Sequence, residues 1–140
     1  MDTFGLLNID RGTFLNISGE AVNLQELQQG VEYQEWQVQE GRIVPSLAPT
    51  LCLGVRKISQ GEPIIMVGLD DENALQWKWG HNDSDLSKCC KYNGDAIVCV
   101  KDASLRLGPV KGSRRGIELQ KQSNHGQLWE KREVNPLRPY

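Results

Sequence analysis

Two groups of side chains in this 140-residue chain have types and spacing that could do chemistry. The first is Asn16, Glu20, Tyr33 and Gln34: two amides, a carboxylate and a phenol able to exchange hydrogen bonds with a hydroxylated ligand. The second is Lys111, Arg114 and Arg115, with Lys121 and His125 close by in sequence, where guanidinium forks could grip sulfate, phosphate or carboxylate. Each group also has a plain alternative. Asn16 can serve only the turn at Ser18-Gly19, and the basic segment can be a solvated loop.

Other combinations point to less. His81 and His125 stand without a recognisable nucleophile or paired-carboxylate setting, so no catalytic residue is expected and the chain reads as non-enzymatic. His81, Cys89, Cys90 and Cys99 do not match zinc spacing, and neither a metal nor another cofactor is expected. Asp70-Asp71-Glu72 reads as a hairpin loop. Neither a Gly-rich phosphate loop nor an aromatic-lined basic stripe is present, which argues against nucleic acid as a partner. No apolar run approaches the ~18 residues of a membrane span.

Charge is uneven although the formal net is only −2. Residues 1–50 hold two Lys/Arg against seven Asp/Glu, residues 51–99 five against seven, and residues 100–140 nine against four. The last third is therefore a basic lobe, suited to an anionic ligand or an acidic partner, and its contrast with the acidic first third makes self-association between copies an expectation. The N-terminus lacks both a basic start and a long apolar stretch, so no signal peptide is expected. Cys52 between Leu51 and Leu53 reads as a small buried hydrophobe, and Cys89 or Cys90 could pair with Cys99 across a hairpin. This cysteine usage favours a cytoplasmic or non-classically released protein.

The elements that would position these residues follow from an internal repeat. Phe14-Leu15-Asn16-Ile17, Ala21 to Gln25 and Tyr33 to Trp36 line up with Cys52-Leu53-Gly54-Val55, Pro63 to Val67 and Ala74 to Trp77. They line up again with Arg106-Leu107-Gly108-Pro109, Gly116 to Gln120 and Gly126 to Trp129. From the leading Leu to the closing Trp the separations are 21, 24 and 22 residues. Each unit opens with a further apolar strand: Gly5 to Ile9, Arg42 to Leu47, and Ala96 to Val100. Alternation such as Val22/Leu24 and Ile117/Leu119 has strand period, and Gly-containing turns punctuate it. About twelve short strands in one all-β domain over 1–140 result, in repeats of about 1–41, 42–94 and 95–136, with a buried Trp near each repeat's end.

The closing Gln-x-Trp, intact as Gln34-Glu35-Trp36 and Gln127-Leu128-Trp129 and displaced in Leu75-Gln76-Trp77, resembles the ricin-B family of β-trefoil lectins. Leu51-Cys52-Leu53-Gly54-Val55 and the layout around it resemble the cysteine-rich domain of mannose-receptor proteins. The resemblance implies a β-trefoil, and glycans or glycoproteins as partners held in a shallow galactose-type pocket on each repeat. Such a pocket needs an aromatic to stack on the sugar and a carboxylate and amide for its hydroxyls. The family's carboxylate falls on Asn16, Gly54 and Gly108, its aromatic on Gln25, Val67 and Gln120, and its amide on Tyr33, Ala74 and Gly126. No repeat keeps the combination. The narrower comparison implies sulfated sugars stacked on a Trp in the third repeat, where this chain has Gly126, and a disulfide from Cys52 to a position that is Leu69. What is expected is a carbohydrate-binding module with atypical pockets that favours anionic glycans. The alternative is a protein-interaction module that has lost sugar binding. The polar first repeat and the basic loop of the third are the places to look for a site: Asn16, Glu20, Tyr33 and Gln34, and Lys111, Arg114, Arg115 and His125.

Overall fold

Leu15 and Ile17 alternate with Phe14 and Asn16, as Val22 and Leu24 do with Asn23, so each strand turns one set of side chains to each side. Joined at Ser18-Gly19, the two strands make a hairpin with Leu15, Ile17, Val22 and Leu24 in the core, while Phe14 and Asn16 on the other side are buried as well. The computed structural model, which describes residues 3–19, 21–27, 32–81, 94–123 and 126–132, builds the protein on three such hairpins. The first repeat holds β1 (Gly5–Asn8), β2 (Thr13–Ser18), β3 (Ala21–Gln25), a 3-10 turn at Glu32–Gln34 and β4 (Trp36–Gln39). The second holds β5 (Arg42–Pro45), β6 (Leu51–Gly54), β7 (Ile65–Gly68) and β8 (Trp77–His81). The third holds β9 (Asp95–Cys99), β10 (Leu105–Pro109), β11 (Ile117–Lys121) and β12 (Trp129–Arg132). The three opening strands stop short of expectation: β1 ends at Asn8, β5 at Pro45 and β9 at Cys99, the last two leaving Leu47 and Val100 exposed.

The last strand of each repeat pairs with the first strand of the next: β4 with β5, β8 with β9, and β12 back to β1. That return completes the ring, in which the Phe4–Trp36 bridge and the Trp77 N–H to Gly41 carbonyl bond at 2.7 Å tie the two-stranded β4–β5 sheet to the rest. The β4–β5 turn is tight, with Glu40 at φ 51° and Gly41 at φ 79°, the left-handed pair that a two-residue hairpin loop requires. The hairpins β2–β3, β6–β7 and β10–β11 cap one end of the ring and touch each other. Ala21 pairs with Ile65, Pro63 bridges Glu118, and the Leu24 N–H donates to the Arg115 carbonyl at 2.8 Å.

Leu15, Ile17, Val22, Leu24, Leu53, Met66, Leu107 and Leu119 fill the core between cap and ring, together with Trp36, Trp77 and Trp129. The three tryptophans are 0%, 4% and 1% exposed, so each indole N–H needs a partner inside the protein. Trp36 donates to the Leu15 carbonyl at 2.9 Å and Trp129 to the Leu107 carbonyl at 3.2 Å. Among the described residues Trp77 Nε1 has none. The corresponding carbonyl, that of Leu53, accepts instead from the Leu75 N–H at 3.2 Å. Two residues beyond these tryptophans stand Val38, Trp79 and Lys131. Phe4 meets Trp79 edge-on at 6.4 Å, and the Lys131 ammonium lies 4.9 Å and 4.5 Å from the two ring centres.

Candidate ligand-binding faces

The three hairpins share one register. Asn16 faces Asn23 and Phe14 faces Gln25; Gly54 faces Ile65 and Cys52 faces Val67; Gly108 faces Glu118 and Arg106 faces Gln120. Because side chains alternate, each set of four lies on the hairpin's outer face, opposite the core. What fills these equivalent faces differs in kind.

On the second hairpin the outer face is apolar. Val44, Cys52, Val67 and Ala74 form a separate buried cluster, against which Ile65 and Leu69 pack. Cys52 and Leu69 thus share an apolar cluster at the positions where the resemblance implied a crosslink. Burial pushes the Cys52 thiol above its ordinary range; the nearby Arg42 charge opposes this and Asp71 adds to it. Gly54 is hemmed in by backbone: a Cβ there would stand 2.3 Å from the Asn73 carbonyl oxygen and 2.7 Å from Val67 Cγ2. The Asn73 segment is fixed by the Val55 N–H donating to the same carbonyl at 3.2 Å and by the Asn73 N–H donating to Asp71 Oδ1 at 2.7 Å.

On the third hairpin the outer face is polar and filled by one side chain. Gln120 donates through Nε2 to the Pro109 carbonyl and to Glu118 Oε2 at 3.0 Å, and its Oε1 accepts from Gln127 Nε2 at 3.0 Å. A Cβ on Gly108 would meet Gln120 Oε1 at 2.0 Å. Gln127, the glutamine of the closing motif, also donates to the Lys121 carbonyl at 2.8 Å and accepts from the Ser123 N–H at 2.9 Å. Arg106 is buried on this face.

The first hairpin carries Asn16, Asn23 and Gln25 outward, with Phe14 buried beside them. Asn16 is 8% exposed, and its Nδ2 donates to the Ile17 carbonyl at 3.1 Å and to Asn23 Oδ1 at 3.2 Å. Gln34, expected to face a ligand, is instead fully buried and donates to the Glu26 carbonyl at 2.8 Å. It fastens the closing motif to the end of β3, as Gln127 does to the end of β11. Tyr33, next to it, is 53% exposed. Leu27 follows Glu26 in the chain, and Leu47 follows Ser46, whose N–H donates to the Glu35 carbonyl at 3.0 Å. Both leucines are exposed.

Lys111, Arg114 and Arg115 are exposed on the loop between β10 and β11. Arg11, from the β1–β2 turn, donates to the carbonyls of Ser113 and of Val110, the latter at 3.1 Å. Glu20 and His125 lie outside the described residues, as do Cys89 and Cys90; Cys99 is buried on β9. Among the described residues no group of three His, Cys, Asp or Glu side chains lies together to hold a metal, and no helix is long and apolar enough to cross a membrane. Sequence reasoning missed Asn23, Gln120 and Arg11. The first two are legible once the hairpin register is aligned across repeats. Arg11 gives no local signal, because its partner is 102 residues away.

Neither a family model nor a curated protein matches the sequence. Solved structures do match in shape. An agglutinin from Abrus precatorius superposes with a TM-score of 0.73 at 17% identity, over 93% of this chain and 46% of that one. The Rhizoctonia solani agglutinin gives 0.71 at 15%, over 94% of both chains. The fold is a β-trefoil. An earthworm R-type lectin C-half in complex with GalNAc gives 0.66 at 16%, over 94% of this chain and 98% of that one. This trefoil spans about half the length of the Abrus agglutinin and nearly the whole of the other two. At such identities the likeness establishes the scaffold, while function lies in residues placed on it.

Proposed function

We propose that this trefoil is a non-enzymatic carbohydrate-binding module whose galactose-type pockets are degenerate, with one working face on the first repeat and a preference for anionic glycans. The observation that carries this is the unequal filling of three equivalent faces. On the second and third hairpins the side chain that would carry a carboxylate is obstructed, by the Asn73 backbone at Gly54 and by the Gln120 side chain at Gly108. On the first, Asn23, Gln25 and the exposed Tyr33 keep donors, acceptors and a ring at the surface. An exposed ring suits the apolar side of a pyranose, and the amides suit its hydroxyls. The trefoil neighbours described as agglutinins and as a GalNAc-bound lectin support the ligand class. The basic last third supports the anionic preference.

A glycan array spanning neutral, sulfated and sialylated ligands tests the proposal, with Asn23→Ala and Tyr33→Ala variants alongside. Binding that both variants weaken is expected, since each hydroxyl left unpaired costs about 1–3 kcal/mol. Uniform silence would overturn it and favour the alternative, a protein-interaction module on the same scaffold, for which the closed faces of the second and third repeats speak.

A further inference from the structure

Of the four tryptophans three serve the core, and Trp79 alone keeps part of its ring at the surface. It stands beside Phe4, which precedes β1, and Lys131 of β12, so that each repeat contributes one residue to the group. Both aromatic side chains pack against the main core, which fixes them. Phe4 is held further by its backbone: its N–H donates to the Trp36 carbonyl at 2.9 Å, and its carbonyl accepts from the Trp36 N–H at 2.8 Å. The ring planes stand at 81° with their centres 6.4 Å apart. One ammonium, that of Lys131, lies 4.9 Å from the Phe4 centre and 4.5 Å from the Trp79 centre. These three distances make an almost right-angled triangle at the ammonium, matching the angle between the planes. The rings are therefore two walls of a corner, and a single cation meets the faces of both.

The cation in that corner is an imperfect match for it. A lysine ammonium is compact and strongly hydrated, with three N–H donors that an aromatic face satisfies weakly. Among the described residues no carboxylate pairs with Lys131, and holding its long side chain in one conformation costs entropy. A quaternary ammonium has no donors to leave unsatisfied and little hydration to lose, so two perpendicular aromatic faces suit it better. We infer that the Phe4–Trp79 corner is a binding site for the trimethylammonium group of a soluble, choline-type ligand, with Lys131 as its displaceable internal occupant. Both rings are partly buried, which suits a small ligand reaching in from solution better than a bilayer surface. Lys131 lowers the apparent affinity, since only molecules with an open corner can bind. The site lies apart from the hairpin faces and does not rest on glycan binding.

Titration of the full chain with choline, followed by NMR of the side chains, tests this. Shifts centred on the Phe4 and Trp79 rings and the Lys131 methylenes are expected. Lys131→Ala empties the corner and should tighten choline binding about two- to fivefold, the worth of an exposed cation–π contact. Unchanged or weaker binding in that variant would overturn the role of Lys131 as occupant. Trp79→Phe keeps an aromatic wall with a weaker face, and should weaken choline binding with or without Lys131. The uncharged isostere of choline, with a tert-butyl group in place of trimethylammonium, should bind more weakly; equal binding would assign the corner to apolar burial and overturn the cation site. No choline shift at Trp79 in either wild type or Lys131→Ala would overturn the site outright. Phosphatidylcholine vesicles that capture the chain where free choline does not compete would overturn the assignment to a soluble ligand.

Discussion

Replacing each core tryptophan by phenylalanine should produce unequal losses of stability, although the three residues occupy equivalent places. The loss of buried ring surface is common to all three variants and cancels when they are compared. The indole N–H does not cancel. In Trp36→Phe and Trp129→Phe a hydrogen bond to Leu15 or Leu107 is lost, a net cost of about 1 kcal/mol. In Trp77→Phe a buried donor without a partner is removed instead, a relief of about 1–3 kcal/mol. Trp77→Phe should therefore be the more stable variant by about 2–4 kcal/mol. With a urea m-value of about 2 kcal/mol/M, that is a midpoint about 1–2 M higher than for either sister variant. Urea unfolding followed by far-ultraviolet circular dichroism, which does not depend on the mutated fluorophore, reads this directly. A Trp77→Phe midpoint equal to or below those of the other two would refute the reasoning.

Gly54→Asp, which would restore the family's carboxylate, should cost about 3 kcal/mol or more and create no galactose binding, because its Cβ has backbone at 2.3 Å; calorimetry of unfolding and of sugar titration checks both. The raised Cys52 pKa favours the folded state while the thiol is protonated, so its contribution is complete below the ordinary value of 9.0 and declines as pH rises from there through the folded value. Stability should accordingly fall less between pH 8 and 11 in Cys52→Ala than in wild type, as read from urea midpoints. Lys131→Ala should cost about 0.5–1 kcal/mol by removing the cation from above Phe4 and Trp79, and should change the Trp79 fluorescence; an unchanged spectrum and midpoint would dismiss the contact.

Much of the scaffold could be read from the chain itself. Strand period is a local property, so Val22/Leu24 and Ile117/Leu119 announced their hairpins, and three closing tryptophans at similar spacing announced the threefold core. Register across β2–β3, β6–β7 and β10–β11 follows from the same alternation, since a slip of one residue would turn every core side chain outward. The resemblance also implied a carboxylate position that this chain fills with Gly54 and Gly108. Gln34 was misplaced because a glutamine is equally at home donating to a ligand or to a backbone carbonyl, and only burial distinguishes the two.

Composition and spacing by themselves determined that the protein is all-β, threefold and basic toward its end, because those properties are sums and periods along the chain. Only the tertiary structure decided what occupies the space beside each glycine: a backbone carbonyl from Asn73 at one and the side chain of Gln120 at the other. It alone decided that Trp36 and Trp129 find carbonyls while Trp77 does not. And it alone brought Arg11 into a loop whose charged residues lie a hundred positions away in sequence. The reason is the same in each case. Hydrogen-bond partners and excluded volume depend on distances in space, and the threefold closure that sets those distances exists only when all three repeats are folded together.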